Sequence, residues 1–426
     1  MTIYGLAEAQ VMALAGGVRR DGHSATGHET DPVPVATEVF ARAAWTGIVE
    51  PGDGVAGLLV GCLGAPRALT AVLEAWTSTR IAGVLTENGF DDTEDELGNS
   101  LEQGLLRWRP RLNSTEVVHS LQQAERVRAQ LLLPQDDLWP RSIDDLGAHA
   151  PLALWWRGTP AALTGLDNSL ALVGARAATG YGEHVTMEAS AGLVDRGFTI
   201  VSGAAYGIDG MAHRAALASE GLTVAFLAGG VDRFYPSGHD ALLTRIAADG
   251  VVLSELPCGA APTKWRFLQR NRLIAASSLA TIVLEAGWRS GSLNTAGHAA
   301  ALGRPLGAVP GPVTSPTSAG CHRLIREFDA VCVTTAAEMA ELAGERTVQV
   351  PLDFSGADGE DCREVGAGRT SEQIRVFDAL STRSPRSIPE LARRSGLSPG
   401  AVRGALGALD LEGAAGEREA GWVRST

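Results

Sequence analysis

The chain has 426 residues, 45% of them hydrophobic and 20% charged, which is ordinary globular usage and too apolar for a largely disordered protein. Its length is roughly three typical domains, so two or three are expected and a single small binding module is excluded. The formal net charge of −13, taken over the whole chain, argues against nucleic acid as a partner, because a basic footprint is its usual electrostatic sign.

Two counts narrow the chemistry further. Of the 36 basic residues only Lys264 is a lysine. It lies in Pro262-Thr263-Lys264-Trp265 rather than in a glycine-rich turn, so the chain has no Walker A loop, and a Schiff-base enzyme would have to use this one residue. The 5 cysteines, at positions 62, 258, 321, 332 and 362, form no CxxC pair. Neither a metal site nor a disulfide framework is suggested, and a reducing cytosol fits. No stretch reaches the roughly 18 apolar residues of a membrane helix, and Met1-Thr2-Ile3-Tyr4 lacks a basic region leading into an apolar core, so a cytoplasmic protein without membrane association is expected.

Residues 1–35 hold a short helical pattern and then a Gly/His/Pro-bearing stretch from Asp21 to Pro34, which reads as a mobile lead. Over 36–133 apolar residues recur at helical spacing, as in Ala65 to Leu73, and predict a small helical domain. The acidic run Glu87 to Glu96 fits no calcium loop and reads as a solvated loop. Within 134–340, the texture from about 168 alternates apolar strands with amphipathic helices. Strands are predicted at Leu170–Val173, Phe198–Ser202, Thr223–Leu227, Val251–Ser254, Thr281–Leu284, Leu306–Val309 and Val331–Val333. β-branched runs separated by 10 to 15 helical residues indicate an α/β fold, an extended Rossmann-like, doubly wound, mostly parallel sheet. Residues 341–370 read as an acidic linker. Three short helical patterns then follow at Ser371–Leu380, Ile388–Arg394 and Pro399–Leu411, with a Gly-rich hairpin over Gly413–Val423, so 371–426 predict a winged-helix-like domain.

Ligands of such sheets bind outside the carboxyl ends of the strands, which selects the loops to inspect. The first strand runs into Val173-Gly174-Ala175-Arg176, whose glycine and following helix start suit an anion, although a tight turn alone would also want that glycine. Its spacing is not GxGxxG, and Ser202-Gly203 stands where a dinucleotide site wants an acid. The second loop, Ser202-Gly203-Ala204-Ala205-Tyr206-Gly207-Ile208-Asp209, leads to His213; Asp209 reads as a helix cap and His213 as a packed histidine, with no GxSxG elbow to make Ser202 a nucleophile. After the fourth strand come Lys264, Trp265, Arg266, Phe267, Arg270, Asn271 and Arg272. Four cations and two aromatics in nine residues form the densest basic and aromatic patch in the chain. Cations bind phosphates while aromatic faces stack on unpaired bases, as a single-strand binder requires; a structural salt-bridge surface is the competing reading. Ser290, Gly291 and Ser292 open another donor-rich helix start after the fifth strand.

Taken together the loops resemble the DprA (Smf) DNA-processing family. The resemblance is carried by Val173 to Arg176, Ser202 to Asp209 with Ala212-His213, Gly221 to Gly229, Tyr235-Pro236, Ser254-Glu255, Phe267 to Ile274, Leu284-Glu285-Ala286, Arg289 to Ala296, Pro310-Gly311 and Gly320 to Ile325. It spans about 134–340 and departs at Ala175, Leu268, Asn294 and His322. The resemblance implies a single-stranded DNA-binding protein of natural transformation that protects incoming strands, helps load RecA onto them and dimerises through the sheet domain, without catalysis and without a cofactor or metal. It also implies Gly174, Arg176, Ser202, Gly203, Gly207, Lys264, Trp265, Phe267, Arg270, Asn271, Arg272, Ser290, Gly291 and Ser292 as the DNA-binding set. The rival reading is a nucleotide phosphoribohydrolase on a similar fold, for which Glu285 is present but the PGGxGTxxE loop is missing. A transcription factor is a third reading, but the third C-terminal helix carries only Arg403 as a cation.

Charge by region changes the meaning of the total. The −13 divides into −10 for 1–167, 0 for 168–340, −4 for 341–370 and +1 for 371–426. The acidity belongs to the flanks, and the sheet region is neutral with its cations concentrated in one segment.

Overall fold

The computed structural model describes residues 2–19, 32–87, 94–344 and 369–425. Most of the expected linker, the center of the acidic run at 88–93, and 20–31 of the expected lead lie outside the described residues.

The center is a nine-stranded sheet. Its strands are β1 (Gln130–Leu132), β2 (Leu154–Gly158), β3 (Ser169–Gly174), β4 (Thr199–Ser202), β5 (Thr223–Phe226), β6 (Val251–Ser254), β7 (Ala280–Glu285), β8 (Leu306–Ala308) and β9 (Val331–Cys332). The spatial order is β9-β8-β7-β3-β4-β5-β6-β2-β1. β9 through β6 in this order run parallel, and β2 and β1 join antiparallel. All seven predicted strands are present, with ends shifted by a residue or so. β1 and β2 are additional: a three-residue strand and a Trp-rich one do not show the β-branched runs that marked the others.

β3 has β4 on one side and β7 on the other, so the chain reverses its direction of growth there, and a crevice opens at the carboxyl ends of these two strands. Side chains alternate across the sheet. Leu170 and Leu172 pack to one face, Ala171 and Val173 to the other. The helices that cover the faces and lead away from the crevice are α1 (Gly180–Val194), α2 (Ile208–Ala218), α3 (Asp240–Asp249), α4 (Lys264–Ala276), α5 (Ser292–Ala301) and α6 (Ala319–Glu327).

The N-terminal region is helical as expected, but it does not have a core of its own. Phe40, Trp45, Leu59, Leu101 and Trp108 form one continuous apolar cluster with Trp155 of β2, Ala225 of β5 and Ile246 of α3. The Trp155 indole donates to the Thr46 hydroxyl at 3.1 Å. The expectation of a mobile lead is corrected at its start. Helix Glu8–Gly17 buries Val11, Leu14 and Ala15 in that cluster, and the Arg19 guanidinium is paired with buried Asp136. Pro34, assigned to the lead, sits inside helix Pro32–Ile48.

The C-terminal part has helices Ser371–Ala379, Ile388–Ser395 and Pro399–Leu411 followed by the hairpin Ala415–Arg418 and Gly421–Arg424. Thr370 and Gln373 form a capping box, and Ser387 and Ser398 cap the next two helices. Gly396, in the left-handed region, closes the second of them. These are the three helices and the wing read from the sequence.

Candidate nucleic-acid interface

The carboxyl ends of β3, β4 and β7 are strapped together by backbone where they meet at the crevice. Ala175 donates to the Glu285 carbonyl at 2.7 Å and Ile208 donates to the Ala175 carbonyl at 3.1 Å. Gly207 has φ +76°, and a Cβ there would lie 2.2 Å from the Ala175 oxygen, so only glycine allows this approach. A Cβ on Gly203 would stand 2.0 Å from the Arg270 guanidinium. Gly174 packs in the same way against Ile208. The Ser202 hydroxyl is buried and donates to the Leu172 carbonyl at 2.6 Å. Gly174, Ser202, Gly203 and Gly207 therefore shape the crevice floor from beneath. Ser290 and Ser292 share a hydroxyl hydrogen bond of 2.7 Å at the start of α5, with Gly291 exposed between them.

The basic segment is the main correction. It is not an exposed patch but the first half and more of α4, capped by the Thr263 hydroxyl. Of its four cations only Lys264 is exposed. Arg266 is buried against Glu50 of the N-terminal region, with contacts of 2.7 and 3.0 Å, and Arg111 holds the same carboxylate at 2.9 Å. Burial would push the Glu50 carboxyl up, but the two guanidiniums outweigh it and hold it at about 2. Arg270 is 5% exposed and donates to the carbonyls of Gly203 and Phe226, both at 2.6 Å, tying the ends of β4 and β5 together. Its burial brings it down to about 10 against the opposing pull of Asp209. Burial raises the Asp209 carboxyl, although Arg270 and the Ala205 and Gly203 amides draw it the other way. Arg272 is buried on Glu255 at 2.6 Å, and the Asn271 amide donates to Asn294 at 3.1 Å. Arg270, Asn271 and Arg272 thus do not present themselves to a phosphate. Trp265 is also engaged: Arg375 of the C-terminal part lies 5.4 Å from its ring center, and the Lys264 amide donates to Asp378 at 2.8 Å.

The open surface is largely aromatic. Arg176 is exposed, with its guanidinium 5.3 Å from the Phe267 ring center. Phe267 in turn sits 5.5 Å from Tyr235, which is 53% exposed. Tyr206, also exposed, stands edge-on to His239 at 4.8 Å and accepts the Gly238 amide. Arg176 and Phe267 were predicted. Tyr206 and Tyr235 were missed as site residues, though both stand in quoted motifs at strand carboxyl ends and an aromatic at such a position was a readable signal. Glu285, the residue a hydrolase reading would use, is buried and accepts from the Thr179 amide and hydroxyl at 2.9 and 2.7 Å and from the Thr317 hydroxyl at 2.8 Å. His213 is buried on the Thr223 hydroxyl at 2.7 Å. Among the described residues no cluster of His, Cys, Asp and Glu could hold a metal, and no single helix is long and apolar enough to cross a membrane.

Comparison with known proteins agrees with this architecture. The family described as DNA recombination-mediator protein A matches residues 130–344, and the DprA winged helix domain matches 364–421. A putative DNA processing protein DprA of Mycobacterium tuberculosis is 44% identical over 340 residues, which is 77% of this chain and 84% of that protein. The Bacillus subtilis DNA processing protein DprA is 36% identical over 220 residues, 52% of this chain and 72% of that one. The X-ray structure of DNA processing protein A from Streptococcus pneumoniae superposes with a TM-score of 0.53 at 28% identity, covering 73% of this chain and 98% of the other. With its sheet and its winged helix each matched by that family, the chain belongs to the DprA family of DNA recombination mediators.

Proposed function

We propose that this protein binds single-stranded DNA across the carboxyl ends of β3, β4 and β5. One observation carries the reading: an exposed cation, Arg176, lies over a stacking ring, Phe267, with Tyr235 and Tyr206 exposed beside them. A phosphate neutralised by the guanidinium and bases stacked on the rings is the chemistry of single-strand binders, whereas duplex hides its base faces. Lys264 and the Ser290 to Ser292 turn flank this surface and add donors. The buried Arg270, Asn271 and Arg272 serve it by fixing the frame under Phe267.

In keeping with the family resemblance, the protein acts in natural transformation. It protects incoming strands in the cytoplasm and helps load RecA onto them as a homodimer formed through 134–340, with 36–133 and 371–426 as flanking parts. It does so without catalysis. The full engagement of Glu285 by Thr179 and Thr317 supports a binder over a phosphoribohydrolase.

The test is a gel shift with single-stranded and duplex oligonucleotides at two salt concentrations. Single strands should bind tighter, and Arg176→Ala should weaken them and lower the salt slope by about one contact. Equal affinity for duplex, or no effect of Arg176→Ala, refutes the assigned surface.

A further inference from the structure

A second aromatic and cationic cluster lies on the other side of the switch point. Trp288, in the loop after β7, is 55% exposed. Arg323 of α6 covers part of it at 5.1 Å and reaches the exposed Phe328 ring at 5.5 Å. Arg289 is exposed and has neither an ion pair nor a side-chain hydrogen bond among the described residues. Among the described residues this exposed indole has only Arg323 lying against it. It takes part in no apolar cluster, unlike Trp45, Trp108, Trp139, Trp155 and Trp156.

We propose that Trp288 and Arg289 form a second stacking and phosphate-binding platform that takes the continuation of the same single strand. The inference rests on the reading of the Arg176 and Phe267 surface as a single-strand site, and extends it. The loops after β7 and β3 are in direct contact, through the 2.7 Å hydrogen bond from Ala175 to the Glu285 carbonyl. In the strand order β7-β3-β4-β5 the Trp288 loop is therefore the next in line beyond Arg176. Three strand steps, about 14 Å at the usual spacing, separate it from the Tyr235 loop, a span of several nucleotides. Directly after Arg289 come Ser290, Ser292 and the amino end of α5, all donors and none negative. The competing carboxylate, Glu327, is occupied by Arg323 at 2.9 Å. A strand laid along this edge meets rings at both ends, with hydroxyls and cations beside them.

The proposal separates short from long ligands. Anisotropy of fluorescein-labelled oligo(dT) of about three and about sixteen nucleotides would be measured on the full chain, the first too short to join the two platforms and the second at the upper end of single-strand site sizes. Trp288→Ala should weaken the long oligonucleotide at least about fivefold, as loss of one stacking contact does, and change the short one less than about twofold. Trp288→Phe should restore most of the difference, and Arg289→Ala should lower the salt slope for the long oligonucleotide alone. Bound long oligonucleotide should also shield tryptophan emission from acrylamide in the parent chain. Unchanged long-strand affinity in Trp288→Ala overturns the proposal. So does a shift of oligomeric state with affinity intact, which would make the patch a contact between copies. If Arg176→Ala also leaves both lengths unaffected, the underlying single-strand reading fails too; a loss confined to Arg176→Ala removes only the extension.

Discussion

Helix α4 carries four cations in nine residues, while the loop after β3 carries one, yet the two have opposite fates. Arg266, Arg270 and Arg272 are all buried, on Glu50, on two carbonyls beside Asp209, and on Glu255. Arg176 stands in solvent over an aromatic ring. A guanidinium that has carboxylates or carbonyls within reach is part of the frame, and one left with only a ring beneath it is free to meet an anion. Density of charge along the chain is thus a poor guide to which cations stay open to solvent. The dense segment braces the strand ends, and the sparse loops form the surface.

The largest expected effect tests that division directly. Arg270→Ala removes the guanidinium that joins β4 and β5, leaves two buried carbonyls without their donor and takes the nearby positive charge from Asp209, so urea unfolding should show a loss of about 3 kcal/mol or more. Arg176→Ala, by contrast, should stay within about 0.5 kcal/mol of the parent. A stable Arg270→Ala protein with weakened DNA binding would reverse the roles assigned to the two arginines.

Acid should loosen the frame before it touches the surface. Glu50 is held at about 2, below its ordinary 4.5, so its contribution is complete above about 4.5 and is lost as pH falls toward 2. His213 is lowered from 6.5 to about 3, chiefly by burial, so the folded state keeps it neutral; that contribution is complete above 6.5 and is lost as pH falls toward 3. The urea midpoint should fall steadily from pH 7 to pH 4, and His213→Gln should flatten the upper part of that slope. A flat profile over this range would contradict the assignment of His213, and a flat one between about pH 4.5 and about pH 2 that of Glu50. The smallest effect is expected at the rim, where the exposed Arg393–Glu116 pair joins the winged helix to the N-terminal region at 2.6 Å. Arg393→Ala should change stability by less than about 1 kcal/mol, and a larger loss would mean that the rim, too, belongs to the frame.

Much of the fold was readable. Continuous β-branched runs marked seven strands, and Thr and Ser caps marked the three C-terminal helices, because both signals are local. β1 and β2 escaped since a strand of three residues and one built on Trp155 and Trp156 are recognisable only by what they pair with. The crevice glycines and Arg176 were readable from their place at strand ends, and Phe267 from its place among the cations of α4. The fate of Arg266 was not, since its carboxylate partner lies 216 residues away along the chain. Tyr206 and Tyr235 were in view but carried no charge to draw notice.

Glu50 has one more implication. Its carboxylate receives Arg111 from the N-terminal region and Arg266 from the sheet region, and Arg375 from the winged helix adds its charge nearby. Arg375 in turn donates to the carbonyls of Ser395 and Gly396. Four residues from three parts of the chain therefore constitute one unit of inheritance. Replacing the carboxylate alone would strand three like charges together, and replacing one arginine alone would weaken the compensation of a buried anion. Among descendants of this sequence, positions 50, 111, 266 and 375 should drift together or stay put, and a chimera that grafts a foreign winged helix onto this body must bring a residue to stand where Arg375 does.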